Sequence, residues 1–292
     1  MRRVAAALAV VLVTAVSCRR AANEGPTVGG PHAEVRALIE QGQYDAALAR
    51  LGDETDAEAL YLLGRAWAGK AGRPAVPVSE ALRPEEQQAL DFFERAVAAD
   101  PSHAESQRAI GDLLAPHALG ALEEQKRPRK KGAATPAPTG ISVDRVIRAY
   151  GAALQADMDD TVAVSSLIDF ATRAGRTRDA KAGFEELVRR DREDPDVLVR
   201  FGDFLAGPGG DPEGALARYA QALIWRPADN ATRTKMARIH LDAASAYLEA
   251  REYPAAEMRV REGRKFAVEP ASPEAARVHE IESALAEVRG RR

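Results

Sequence analysis

One spacing constrains this chain more than any other feature. Ala89, Phe93, Ala96 and Pro101 set a pattern: a small residue, an aromatic four later, an alanine three further on, then a proline. Val146, Tyr150 and Ala153 repeat it ahead of Asp157; Ala180, Phe184 and Leu187 repeat it again; Ala215, Tyr219, Ala222 and Pro227 give the fullest second copy. Tyr150 to Phe184 is 34 residues, and Phe184 to Tyr219 is 35. A fixed period of this size marks units that cannot bury an apolar face alone and must stack on one another. Upstream of the pattern a large apolar residue precedes glycine, in Leu63-Gly64, Ile110-Gly111 and Phe201-Gly202; Leu167-Ile168 departs at the glycine. Glycine there removes a side chain where two paired helices cross most closely. Alanine, the best helix former, is abundant, and few segments alternate as strands do, so the units are helical.

Two intervals are longer. Phe93 to Tyr150 is 57 residues, 34 plus 23, and Gly64 to Gly111 is 47, 34 plus 13. Both excesses fall between the first and second helix of a unit, which predicts insertions near 69–84 and 116–142 on one shared edge. Near the start, Tyr44 and Ala47 resemble the second-helix opening of a shortened unit. Residues 231–249 predict one long helix with Met236, Ile239, Ala243 and Tyr247 on one face, and Tyr253 begins its partner. Residues 273–288 form a charged amphipathic segment suited to capping the array. Period and residue types together resemble the tetratricopeptide repeat (TPR) family. That resemblance implies an all-α, right-handed α-solenoid of TPR-like helix pairs over 32–270, with a capping helix and tail at 271–292. The competing reading is an irregular alanine-rich bundle.

The N-terminus predicts export. Arg2 and Arg3 precede an apolar run over 4–16 and then Ser17-Cys18, the layout of a secretory signal peptide over 1–17. The run is shorter than the ~20 residues of a spanning helix. Two cleavage readings fit. Ala15-Val16-Ser17 suits ordinary signal peptidase, whereas Ala15-Val16-Ser17-Cys18 resembles a bacterial lipobox with alanine in place of the usual leucine. In the second, Cys18, the sole cysteine, becomes a lipidated first residue, and Arg19 rather than aspartate implies the outer membrane. Residues 18–31, with several glycines and prolines, predict a flexible tether.

Catalytic motifs are missing from the sequence. One cysteine excludes a disulfide framework and a multi-thiolate zinc site. The five histidines form no H-E-x-x-H pair, and there is no nucleophile elbow or phosphate loop. The acidic cluster Asp191, Glu193, Asp194 and Asp196 lacks the glycine of a calcium loop and suits a solvated turn. The basic run at 126–131 carries no interleaved aromatics and suits a solvated insertion. Basic and acidic residues nearly balance, 41 against 44, so no global field favours nucleic acid. No enzyme activity, cofactor or metal is expected.

In the TPR family the first helix of each pair lines a concave face that holds peptides or partner helices. The resemblance therefore implies a partner-binding groove that includes Tyr61, Arg65, Arg108, Asp112, Ser165, Asp169, Arg173, Arg200 and Asp203. Asp112, Asp169 and Asp203 stand where the family's carboxylate clamp would want asparagine, so a clamp for C-terminal tails is not expected. A mixed polar groove suits a folded protein partner; the alternative is that these charges only solubilise the inner face. The functional expectation is a lipid-anchored envelope scaffold, accessory to an assembly or export complex, with membrane contact through the lipid alone. The runner-up is a peptide- or glycan-binding accessory module.

Overall fold

A computed structural model describes residues 32–72, 81–126, 140–267 and 269–290. They form helices and turns without strands. The helices run α1 (Ala33–Glu40), α2 (Tyr44–Leu51), α3 (Ala57–Ala71), α4 (Pro84–Ala99), α5 (Ala104–Lys126), α6 (Val143–Ala156) and α7 (Thr161–Arg173). Then follow α8 (Thr177–Arg190), α9 (Pro195–Ala206), α10 (Pro212–Trp225), α11 (Asn230–Glu249), α12 (Tyr253–Phe266) and α13 (Pro273–Gly290). Consecutive helices pair from α1/α2 to α11/α12, and α13 takes the place of a further first helix against α11 and α12. The chain is a right-handed, all-α solenoid of TPR-like pairs.

Local sequence sets the helix starts. Asp56, Ser142, Asp160, Asp194, Asp211 and Asp229 each accept a backbone N–H in the first turn of the helix they open. Such caps satisfy donors that the helix cannot. The acidic cluster is spent this way: Asp191 accepts from the Glu193 and Asp194 amides, and Asp194 from those of Asp196 and Val197.

The tight turns inside pairs share one geometry. Gly42 and Gly175 hold positive φ, and the residue after each returns a hydrogen bond to the helix it leaves. At α11/α12 the same position is Arg251 at φ 63°, a conformation that costs an L-residue energy.

The interruptions at α3/α4 and α5/α6 both fall between the two helices of a pair, and residues 73–80 and 127–139 there lie outside the described residues. Arg83 donates to the Gly72 carbonyl across the base of the first at 3.2 Å. The second departs from expectation at its start: α5 continues through Pro116 to Lys126. Proline removes one backbone hydrogen bond there, but Leu114, His117 and Ala118 are buried on both sides of it and hold the helix together. In α11 the buried stripe is Met236, Ala237, His240, Leu241 and Ala244; Ile239, Ala243 and Tyr247 are only half-buried. The helix is rotated from the expected face because it packs against α10 on one side and α12 and α13 on the other.

The pairs close as the glycines predict. A Cβ on Gly64 would lie 2.5 Å from the Phe93 ring, on Gly111 2.6 Å from Tyr150, and on Gly202 2.4 Å from Tyr219. The pair lacking that glycine inverts the device. Ile168 of α7 lies over Gly183 of α8, where a Cβ would come within 2.6 Å of Ile168 Cγ1.

Candidate functional site

First helices of successive pairs touch one another, α1 on α3, α3 on α5, α5 on α7, and α11 on α13; no second helix packs comparably on the next. The first helices therefore make the inner face. Between α7, α9 and α11 the backbones stand further apart, and long side chains cross the gap.

Ion pairs, and at α3/α5 a carboxylate–imidazole contact, bridge every successive couple of first helices. Arg36 of α1 meets Glu58 of α3 at 2.6 Å, and Glu58 also meets His103, just before α5, at 3.3 Å. Arg108 of α5 meets Asp160, the nearly buried cap of α7, at 2.5 Å. Asp169 of α7 and Arg200 of α9 lie 3.9 Å apart. Asp203 of α9 takes Lys235 of α11 at 2.7 Å on both oxygens. Arg238 of α11 reaches Glu274 of α13 at 2.7 Å, and Asp242 reaches Arg277 at 2.8 Å. Hydrogen bonding to Glu58 pushes His103 up, and the same bond holds Glu58 below the usual carboxylate range. His103 also caps α5, its Nδ1 accepting from the Ser106 amide at 3.2 Å.

The expected groove residues separate into three groups. Tyr61 does not reach the face: it is 3% exposed, packed against Phe93 and His103. Its spacing placed it in the groove, but an aromatic at the first helix–helix crossing is drawn into the core by the apolar area it can bury. Arg108, Asp169, Arg200 and Asp203 lie on the inner face but join neighbouring pairs in the ladder. Arg65, Asp112 and Arg173 are exposed and Ser165 half-buried, and among the described residues none of the four forms an ion pair. Sequence reasoning missed Glu58, His103, Asp160, Lys235, Arg238 and Glu274. Glu58, His103, Asp160 and Glu274 sit at helix starts, and Lys235 and Arg238 sit inside α11. Cys18 and the tether lie outside the described residues, as do residues 127–131 of the basic run; Lys126 pairs with Glu123.

The crossing glycines also set the polar floor. Tyr150 Oη donates to Asp112 Oδ1 at 2.9 Å, and Tyr219 Oη to Asp203 Oδ1 at 2.7 Å; in each case the aspartate follows the glycine that admits the ring. Burial, then the aspartates, push both phenols up, so they remain donors. Where the ring is Phe93 and has no hydroxyl, the residue after Gly64 is Arg65, which instead donates to Tyr61 Oη at 3.0 Å. Asp112 keeps an edge in solvent, yet enough protein surrounds it that burial pushes its carboxyl up, against the pull of the Tyr150 hydroxyl and Arg108.

A cleft of about 450 Å³ opens between α3 and α5, lined by Arg65, Asp112, Ala68, Phe93, Leu113 and Pro116 among others. Elsewhere, His32, Glu54 and Asp56 bring ligand-type atoms within 4.8 Å of one another. Asp56 there already caps α3, and both carboxylates are exposed.

Helix pairs at this period, with glycine at the crossing, define a TPR-like solenoid. No protein-family model and no curated protein matches the sequence. Among solved structures the chain is similar to a thermophilic TPR protein of Thermus thermophilus, at 20% identity over 70% of this chain and 95% of that one, with a TM-score of 0.38. It is similar to YrrB, a TPR protein with an unusual peptide-binding site, at 16% identity over 81% and 97%, TM-score 0.43. The C-terminal part of a TPR repeat-containing protein from Cytophaga hutchinsonii aligns at 11% identity over 85% and 83%, TM-score 0.46.

Proposed function

We propose that this chain is a non-catalytic protein-interaction scaffold of the cell envelope, anchored by acyl chains on Cys18 and accessory to an assembly or export complex. One observation carries the scaffold reading: the first helices form a single inner face, cross-linked from α1 to α13 by ion pairs. A partner laid along it meets one pre-shaped surface, so little ordering cost falls on the scaffold side. Bridging charges hold the pairs in register, while Arg65, Asp112 and Arg173 stay open to a ligand. The envelope reading rests on residues 1–18, since no described helix is long and apolar enough to cross a membrane. A lipid there supplies location and the tether supplies reach.

Two measurements test it. Metabolic labelling with an alkyne fatty acid is expected to mark the wild type and not Cys18→Ala; equal labelling, or equal membrane partitioning of both, sinks the anchor. A photo-crosslinking residue at Arg173 is expected to capture a protein partner in intact cells, whereas one at exposed Ala217 on α10 is not. Identical adducts from both positions would remove the inner face as the docking surface.

A further inference from the structure

The molecule contains an internal comparison. Asp112 and Asp203 are built alike: each follows a crossing glycine, and each carboxylate accepts a tyrosine hydroxyl from the paired helix. Asp203 is completed by Lys235 from α11, whose Nζ lies 2.7 Å from both oxygens. At Asp112 the side chain that faces it from the neighbouring first helix, α7, is Ser166 and not a lysine. Arg108, whose charge acts on Asp112, is already engaged by Asp160 at 2.5 Å, and Arg65 donates to Tyr61. Among the described residues no lysine, arginine or histidine forms an ion pair with Asp112.

From this difference we infer that the α3–α5 cleft takes a lysine side chain of the bound partner, with its ammonium on Asp112 and its aliphatic stem along Leu113 and Pro116. The inference rests on the inner-face reading above and names the chemistry of its ligand. The chain's own Lys235 shows what this acceptor accommodates when it is filled. The cleft supplies the rest: apolar walls for four methylenes, and an accessible carboxylate at its floor. Partial burial of Asp112, only partly offset by Arg108 and the Tyr150 hydroxyl, disfavours its ionised form, and an incoming ammonium relieves that cost. Arg65, also exposed in the cleft, repels a second cation and favours a segment with a lone lysine.

The test is an NMR titration of the purified chain with acetyl-Ala-Lys-Ala-Ala-amide and with its norleucine counterpart, read at the Ala109 and Leu113 amides. The lysine peptide is expected to bind about five- to tenfold tighter, as suits an ion pair between the exposed and buried limits. Asp112→Asn, which still accepts from Tyr150, is expected to erase the preference. Ser166→Lys, which copies the Lys235 arrangement within the chain, is expected to abolish lysine-peptide binding. Equal binding of the two peptides to the wild type overturns the inference, and so does an unchanged preference in either variant. Crosslinking at Arg173 reads the scaffold separately: capture there without a lysine preference leaves the inner face standing and removes only the Asp112 site.

Discussion

Replacing Gly183 by alanine adds one methyl group at the tightest point of the fourth pair. That methyl would lie 2.6 Å from Ile168 Cγ1 and 3.3 Å from its Cδ1. Ile168 is 2% exposed and β-branched, so it cannot swing aside in a helix. Overpacking of this kind costs about 1–3 kcal/mol, against which alanine regains about 1 kcal/mol of helix propensity over glycine. The net expectation for Gly183→Ala is a loss of about 1 kcal/mol. Ile168→Ala alone leaves a cavity and costs about 2–5 kcal/mol. With Ile168 shortened the clash is gone, and the same Gly183→Ala change becomes a gain of about 1 kcal/mol from propensity alone. The double-mutant cycle should therefore return a coupling of about 2 kcal/mol. A solenoid need not unfold in one step, so the assay is hydrogen exchange of the α7 and α8 amides, supported by urea titration. Additivity within about 0.3 kcal/mol, or stabilisation by Gly183→Ala alone, would refute the inverted crossing.

Further outcomes follow from the ladder and turns. Tyr219→Phe is expected to cost about 1–2 kcal/mol through the lost bond to the Asp203 carboxylate, read as a lower urea midpoint. Arg108→Ala leaves the nearly buried Asp160 without its cation and should destabilise α7 by about 1–3 kcal/mol, seen as faster exchange at its first turn. Arg251→Gly relieves a left-handed arginine and should raise stability by about 0.5–1 kcal/mol, seen as a higher melting temperature. Acid should act oppositely on the two ends. The Glu58–His103 junction contributes fully between about pH 4.5 and 6.5; the contribution fades above as His103 deprotonates through its raised pKa, and below as Glu58 protonates through its lowered one. His240 is held down by burial and then by Arg259, so the α11/α12 pair loses stability as pH falls below about 6.5. Exchange rates at α5 and α12 measured at pH 5.5 and 8 check both signs.

The inverted crossing marks where sequence reading stops. Gly64, Gly111 and Gly202 announced their function because each follows a large apolar residue at a repeating interval. Gly183 has no such register, and Ile168 looks like a broken repeat. Only the packed pair shows that one void is needed and that either helix can provide it. Tyr61 fails for a related reason: its position in the repeat points inward, but neighbouring Phe93 and His103 decide how far. Proline at 116 misplaced a boundary because its local penalty is smaller than the burial gained on either side.

The sequence alone determined the unit, its period, the placement of both insertions inside pairs, and the residues at three of the crossings. These are local or periodic properties, fixed by propensity and spacing. Tertiary structure decided which inner-face charges are consumed in holding pairs together and which remain open. Ion pairs such as Arg108–Asp160 and Lys235–Asp203 join residues 52 and 32 positions apart. Whether such charges meet depends on the rotation of each helix pair against the next, which no single repeat encodes.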